Sequence, residues 1–293
     1  MASLGSDAPT LRDAYAHCAG VSHASGSSFL AAFWLFPREQ RRALHAIYAF
    51  CRAADDIADD PEVQSDRSLL LARWKCLLDD AYLGRSQHPV GIALGHAVAR
   101  FALPKQWFLD LLAGIEADLR GAPIERFSEL EHYCYCVAST IGLLVVGVRG
   151  LHSPATHSYA VNMGIAVQLT NVLRDVGEDA AAGRVYLARE DLDRLGIAPE
   201  LLARRQKSED LRLLFALYAE RARIRYERAQ AALPAELRPK LRPVEAMGAI
   251  YRDLLDTLQA RGFPCLEPSL RLSRARRVAI AARALLAPGV ATA

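Results

Sequence analysis

The stretch Gln168-Leu169-Thr170-Asn171-Val172-Leu173-Arg174-Asp175-Val176-Gly177-Glu178-Asp179 decides how this chain is read. Leu169, Val172, Leu173 and Val176 recur at helical spacing, which predicts a helix. On that helix Asn171, Asp175 and Asp179 stand four apart and share one face. Like charges at this spacing repel, a poor use of a mostly apolar helix. A divalent cation removes the conflict, because hard cations take carboxylate oxygens and complete their shell with phosphate and water. A solvated acidic helix end is the alternative for this stretch taken alone.

A second stretch, Ile47-Tyr48-Ala49-Phe50-Cys51-Arg52-Ala53-Ala54-Asp55-Asp56-Ile57-Ala58-Asp59-Asp60, repeats the pattern. Tyr48, Arg52, Asp55 and Asp59 follow one another at steps of four, three and four, forming one stripe of an otherwise apolar helix. A phenol, a guanidinium and two carboxylates are costly in a core and suit the lining of a polar site. Two such helices facing each other would hold four carboxylates around a cavity, an arrangement that calls for Mg²⁺ and a polyphosphate.

Composition narrows the rest. The 293 residues are 52% hydrophobic and carry no dense Pro/Gly/Ser linker, which favours a single domain over residues 1–293, with 1–10 frayed. A net charge of +3 and no recognition signature exclude nucleic acid as an expected partner. Cys18, Cys51, Cys76, Cys134, Cys136 and Cys265 form no CxxC pair, so neither a zinc site nor a disulfide framework is expected. Free thiols without a secretory signal point to a reducing cytoplasm. No apolar run approaches the roughly 20 residues that span a bilayer, and the best, Ile141–Val148, is well under half of that.

Helical periodicity fills the chain and no strand-like alternation appears, so the fold is expected to be all-α. A short helix over 11–19 leads to a small-residue loop through Ser22, Ser25, Gly26, Ser27 and Ser28, where backbone N–H groups and hydroxyls can approach an anion, or which simply connects. Phe29 and Phe33 follow, as core or as the wall of an apolar pocket. Pro37 opens the helix of the first acidic stripe and Pro61 closes it. Helices are predicted near 66–83, 89–101 and 104–119. Ser128 and Glu131 read as a capping box for the next helix, which aligns Tyr133, Val137 and Ile141. Gly142 and Gly147 in that helix imply close packing, or room for a long hydrocarbon. The helix of the second acidic stripe is expected over 158–183, followed by the turn or flap Gly183-Arg184-Val185-Tyr186-Leu187. Further helices are predicted near 208–232 and 243–261, separated by Pro234, Pro239 and Pro243. Beyond 269, Arg271, Arg274, Arg276, Arg277 and Arg283 alternate with apolar residues and no acid. That is a basic amphipathic helix able to lie on an anionic membrane, or simply a surface helix.

The two acidic stripes resemble the aspartate-rich motifs of squalene and phytoene synthases. Tyr48-Ala49-Phe50-Cys51-Arg52, Tyr133-Cys134-Tyr135-Cys136-Val137-Ala138, Gln168-Leu169-Thr170-Asn171 and Gly26-Ser27-Ser28-Phe29 match the same family, in order, over roughly 20–280. The resemblance implies an isoprenoid-synthase-type helical bundle with a central active-site cavity. It also implies head-to-head (1′–1) coupling of two prenyl diphosphates. One farnesyl diphosphate ionises, the 2,3-double bond of a second attacks its C1, and proton loss closes the cyclopropane of presqualene diphosphate. Asp55, Asp59, Asn171, Asp175 and Asp179 would ligate Mg²⁺, with Mn²⁺ as a substitute. Arg52 and Tyr48 would bind diphosphate, as would Arg184, Tyr186 and Ser28, with Tyr251 and Arg271 as weaker candidates. Tyr133 resembles the tyrosine set beside the reacting carbons. Gln168 and Asn171 support the second metal cluster, while Phe29, Phe33, Val137, Ile141 and Leu144 could form the dry apolar wall.

Within the family, the Gly-Ser-Ser-Phe opening and the run from Asp175 to Leu187 look most like bacterial presqualene diphosphate synthases of the hopanoid pathway. NADPH is then not expected, and enzymes of squalene and hopanoid synthesis would act downstream. Phytoene synthase, using two C20 substrates, shares every motif and is the alternative; dehydrosqualene and squalene synthases stand behind it. A metal-dependent phosphohydrolase is the remote alternative, but none of the eight histidines pairs with the aspartates as a ligand. The family often has proline after the Tyr-Leu pair, where this chain has Ala188, and that departure is expected to loosen the turn.

Overall fold

The computed structural model describes residues 9–25, 33–59, 66–206 and 208–286, and among them every regular element is helical. Ser28, Phe29 and Pro61 lie outside the described residues, as does the side chain of Asp59. The chain divides into two compact units, residues 1–119 with 147–150, and residues 120–146 with 151–293.

The first unit holds α1 (Leu11–Ala24), α2 (Arg38–Asp59), α3 (Arg67–Tyr82), α4 (Pro89–Phe101) and nearly all of α5 (Lys105–Arg120). Three of these starts have a local cause. Thr10 Oγ1 accepts the Asp13 N–H at α1, and Asp66 Oδ1 accepts the Ser68 and Leu69 N–H groups at α3 (2.9 and 3.2 Å). His88 Nδ1 accepts the Val90 N–H at α4, whose first residue is proline. The core closes on Phe50, which stacks on Trp74 (5.4 Å between centroids) and meets Phe108 edge-on (5.5 Å). α1 runs five residues past its expected end at residue 19, so Ser22, expected in the small-residue loop, is a buried helical residue whose Oγ–H donates to Cys18 O (2.9 Å).

The second unit is built on α8 (Pro154–Ala181), apolar on most of its surface and packed by α11 (Glu209–Ala232) and α12 (Arg238–Ala260). α8 starts four residues earlier than the sequence suggested, because Ser153 Oγ and Thr156 cap each other reciprocally. α12 also starts early: Pro239 sits in its first turn and Pro243 lies inside it, so these prolines do not mark the break. α9 (Arg189–Arg194), α10 (Glu200–Ala203) and α13 (Arg274–Leu286) complete the unit, the last packed on α12.

One long helix departs from the sequence reading in three ways. It comprises α6 (Phe127–Cys134), a π-helical turn (Tyr135–Ser139) and α7 (Thr140–Val148). Its cap is not Ser128: Glu129 Oε2 accepts the Glu125 and Arg126 N–H groups (2.9 and 3.4 Å), and Glu131 pairs with Arg225. The π turn inserts an extra residue, so Tyr133, Val137 and Ile141 no longer mark one face by fourfold spacing. Ser139 Oγ–H donates to Val161 O (2.7 Å), and a Cβ on Gly164 would collide with the Ser139 backbone. A Cβ on Gly142 would stand 3.2 Å from Ala160 O, so close packing explains that glycine. The 22 residues Phe127–Val148 are long and apolar enough to cross a bilayer although polar residues interrupt them, and over half of their apolar window is buried within the protein.

All six cysteines are free, and burial pushes the Cys18 and Cys265 thiols up to about 12, as befits core residues rather than nucleophiles. In the first unit His45 is 8% exposed, its Nδ1 lacks a hydrogen-bond partner, and its ring meets those of Phe33 and His23. Burial, reinforced by His23 and Arg41, lowers its pKa from 6.5 to about 4. The unfolded chain therefore takes up a proton near pH 6.5 that the folded chain refuses until about pH 4, so stability falls with pH across that window. His45→Phe should flatten this acid limb. Urea melts at pH 7 and pH 5 check it, and an unchanged pH difference would contradict the assignment.

Candidate active site

In the second unit Asn171, Asp175 and Asp179 project from one face of α8, as their spacing requires. Asp175 is held on two sides. Arg174 clamps it through Nε (2.7 Å to Oδ1) and a guanidinium NH₂, and Ser269 Oγ–H donates to Oδ1 (2.7 Å). Burial opposes the charge on Arg174, but Asp175 and Tyr251 outweigh it and hold the guanidinium more firmly protonated. Tyr251 of α12 thus reaches this cluster through Arg174. Asp179 lies 3.9 Å from the Arg184 guanidinium, and its backbone carbonyl accepts the Arg184 N–H (2.8 Å).

The connection from α12 to α13 straps this face. The Gly177 N–H donates to Cys265 O (2.9 Å), and a Cβ at Gly177 would lie 2.9 Å from Leu266 O, so only glycine admits the strap. The Ser269 N–H donates to Glu178 Oε1 (3.0 Å) and holds that carboxyl below the usual carboxylate range, with Arg271 as a lesser contributor. Sequence spacing offers no sign of Ser269, because its partner lies 94 residues away.

Asn171 supplies the telling atom. Its Nδ2–H donates to Gln168 Oε1 (3.3 Å), which turns Oδ1 the other way, and that buried oxygen has no hydrogen-bond partner. Leaving a buried acceptor unmet costs about 1–3 kcal/mol. An amide oxygen beside two carboxylates is a hard-donor set that suits Mg²⁺ or Mn²⁺. The fit is therefore good on this face. Among the described residues no group of three His, Cys, Asp or Glu side chains that could hold a metal ion is found.

The flap Gly183–Leu187 folds over the end of α8, and Tyr186 stacks on Tyr133 of α6 (5.1 Å between centroids, 20° between planes). Val172, Val176, Asp179, Arg184 and Tyr186 line a small recess beneath it. Ala188 does not loosen this turn. It is fully buried, and its N–H, which a proline would lack, donates to Tyr218 Oη (2.7 Å).

In the first unit Tyr48, Arg52 and Asp55 lie along α2 as their spacing implies. Tyr48 Oη–H donates to Ser25 Oγ (2.7 Å), and Phe33 is buried edge-on to its ring. Arg52 pairs with Asp56 (2.6 Å), a neighbour outside the stripe. Leu144 is fully buried, whereas Val137 and Ile141 are only half-buried.

A family model described as squalene/phytoene synthase matches residues 22–280. Phytoene synthase 1 of Zea mays chloroplasts is 35% identical over 259 residues, covering 86% of this chain, which in turn spans 63% of the maize protein's length. A dehydrosqualene synthase solved with a ligand superposes with a TM-score of 0.81 at 29% identity, over 94% of this chain and 96% of that one. Squalene synthase HpnC from Alicyclobacillus acidocaldarius gives 0.79 at 27% identity, over 86% and 95% of the two chains.

Asn171→Leu isolates the role of the unmet acceptor. In metal-free buffer it should melt no lower than the parent, while Mg²⁺ should raise the parent's Tm and leave the variant's nearly unchanged. An equal Mg²⁺ response in both proteins would remove Asn171 from the donor set.

Proposed function

The chain belongs to the squalene/phytoene synthase family, and from that premise we propose that it couples two farnesyl diphosphates head to head into presqualene diphosphate. One diphosphate and one proton are released. The observation that carries this reading is the unmet Asn171 oxygen on the face of α8 that also carries Asp175 and Asp179. Asn171, Asp175 and Asp179 would hold Mg²⁺ in the second unit, as Asp55 and Asp59 would in the first. Mg²⁺ held there would supply charge neutralisation for the departing diphosphate.

The chain's own groups do the rest. Gln168 fixes the Asn171 amide so that its oxygen, not its nitrogen, faces the site. Arg174 and Ser269 orient Asp175 before substrate arrives. Arg52 and Arg184 provide guanidinium donors for diphosphate, and Tyr48 a phenol. Tyr133, braced flat by Tyr186, is the polar group offered to the reacting carbons. Phe33 in the first unit and Leu144 in the second would each offer apolar surface of the kind that keeps water from an allylic cation.

A C15 substrate is supported by the Gly-Ser-Ser-Phe opening, the Asp175–Leu187 run and the fit to dehydrosqualene and squalene synthase structures. The maize relative supports the second reading, coupling of two C20 geranylgeranyl diphosphates to phytoene. In the first case the reaction ends before any reduction, so NADPH is not needed. The product would pass to enzymes of squalene and hopanoid synthesis. A cytoplasmic enzyme resting on the membrane through α13 suits so apolar a product: Arg274 and Arg283 are exposed there with Val278 and Leu286.

Incubation with farnesyl diphosphate and Mg²⁺, without NADPH, should accumulate presqualene diphosphate, identified by mass. Phytoene from geranylgeranyl diphosphate, with no turnover of the C15 substrate, would move the reading to the second case. Asp175→Asn should lower turnover by at least about a hundredfold with the helical circular dichroism unchanged. Near-parental activity in that variant would remove the metal-cluster mechanism.

A further inference from the structure

Asp191 is 2% exposed and lies in the first turn of α9, one turn past the flap. A buried carboxylate survives only with full compensation. Arg221 of α11 grips both its oxygens, Arg194 donates to Oδ1 (3.0 Å), and Tyr218 Oη–H donates to Oδ2 (3.1 Å). Tyr218 has one hydroxyl proton and spends it on Asp191, so its oxygen is free to accept the Ala188 N–H (2.7 Å). This pins the C-terminal end of the flap.

The same cluster pins a second element. The Arg221 guanidinium lies 3.8 Å over the ring of Phe127, the first residue of α6, and Phe127 meets Tyr218 edge-on (5.7 Å). The backbones also join: Arg189 N–H donates to Ile124 O (2.8 Å), Glu190 N–H to Glu125 O (3.0 Å), and Phe127 N–H to Glu190 Oε1 (2.7 Å). One buried carboxylate thereby ties together the start of α6, which carries Tyr133, and the end of the flap, which carries Tyr186. The two tyrosines stack beyond that tie.

We propose that Tyr218, oriented by Asp191, is a positioning residue that sets the Tyr133–Tyr186 pair for the reaction through the Ala188 N–H. The proposal rests on the reading above in taking Tyr133 as the group beside the reacting carbons. The Ala188 backbone, at φ −63° and ψ 135°, already has the shape a proline would take.

Tyr218→Phe keeps the ring and removes only the hydroxyl, leaving the Ala188 N–H without an acceptor. It should lower kcat about tenfold while KM for the prenyl diphosphate stays within about twofold. Amide hydrogen exchange at 184–188 should speed up about tenfold. Adding Ala188→Pro in the Tyr218→Phe background removes the unmet donor and restores stiffness, so kcat and slow exchange at 184–187 should both recover. Loss of Tm with kcat unchanged, unchanged exchange, or failure of Ala188→Pro to rescue would each overturn the proposal. The exchange arm reads out even without prenyl substrate. A parent enzyme that couples no prenyl diphosphate but shows fast flap exchange in Tyr218→Phe would fail the functional reading and not the tie.

Discussion

Carboxylates repeated every four residues on an apolar helix repel one another, and much of the second unit answers that cost. α8 could bury the rest of its surface only if the acidic face were compensated without being filled. Arg174 and Ser269 hold Asp175, Arg184 approaches Asp179, and Ser269 caps Glu178. Asn171 Oδ1 is left over. A core evolved for stability alone would have placed a donor or an apolar side chain there. The strap from Cys265 to Ser269 supplies two of these contacts, and it lies against α8 only because residue 177 has no side chain.

Precision of this kind depends on elements far from the carboxylates. A helix alone cannot set Tyr133, since the π turn immediately after it alters the register of everything beyond. The register is recovered by packing: Ser139 bonds to the Val161 carbonyl, and Gly164 lets the two helices touch. At the other end of α6 the Asp191 cluster anchors Phe127. Tyr133 thus sits on a short helix fixed at both ends, which is how a few hydrogen bonds buy rigidity where a loop would not supply it.

The all-α class, most helix positions, and the alignment of Asn171, Asp175 and Asp179 on one helix face were legible in the sequence because they rest on local spacing. Tyr48, Arg52 and Asp55 needed only the helical period. What escaped was set by partners distant in the chain. Ser128 and Glu131 had the right spacing for a capping box, yet Glu131 goes to Arg225 and Glu129 does the capping. Ala188 read as a loss relative to proline because Tyr218, which accepts its N–H, lies 30 residues on. Pro243 read as a helix break, yet α12 runs through it. The apolar span of Phe127–Val148 was missed because a few polar residues interrupt it, although its average suffices.

The central claim is that a divalent cation joins the α8 carboxylates to a prenyl diphosphate. Equilibrium binding of an unreactive thio-analogue of farnesyl diphosphate, with Mg²⁺ and then with excess chelator, tests it most directly. The account expects the affinity to fall by at least about tenfold when Mg²⁺ is removed, and this Mg²⁺ dependence to disappear in Asp175→Asn. Equal affinity with and without Mg²⁺ in the parent protein would contradict it.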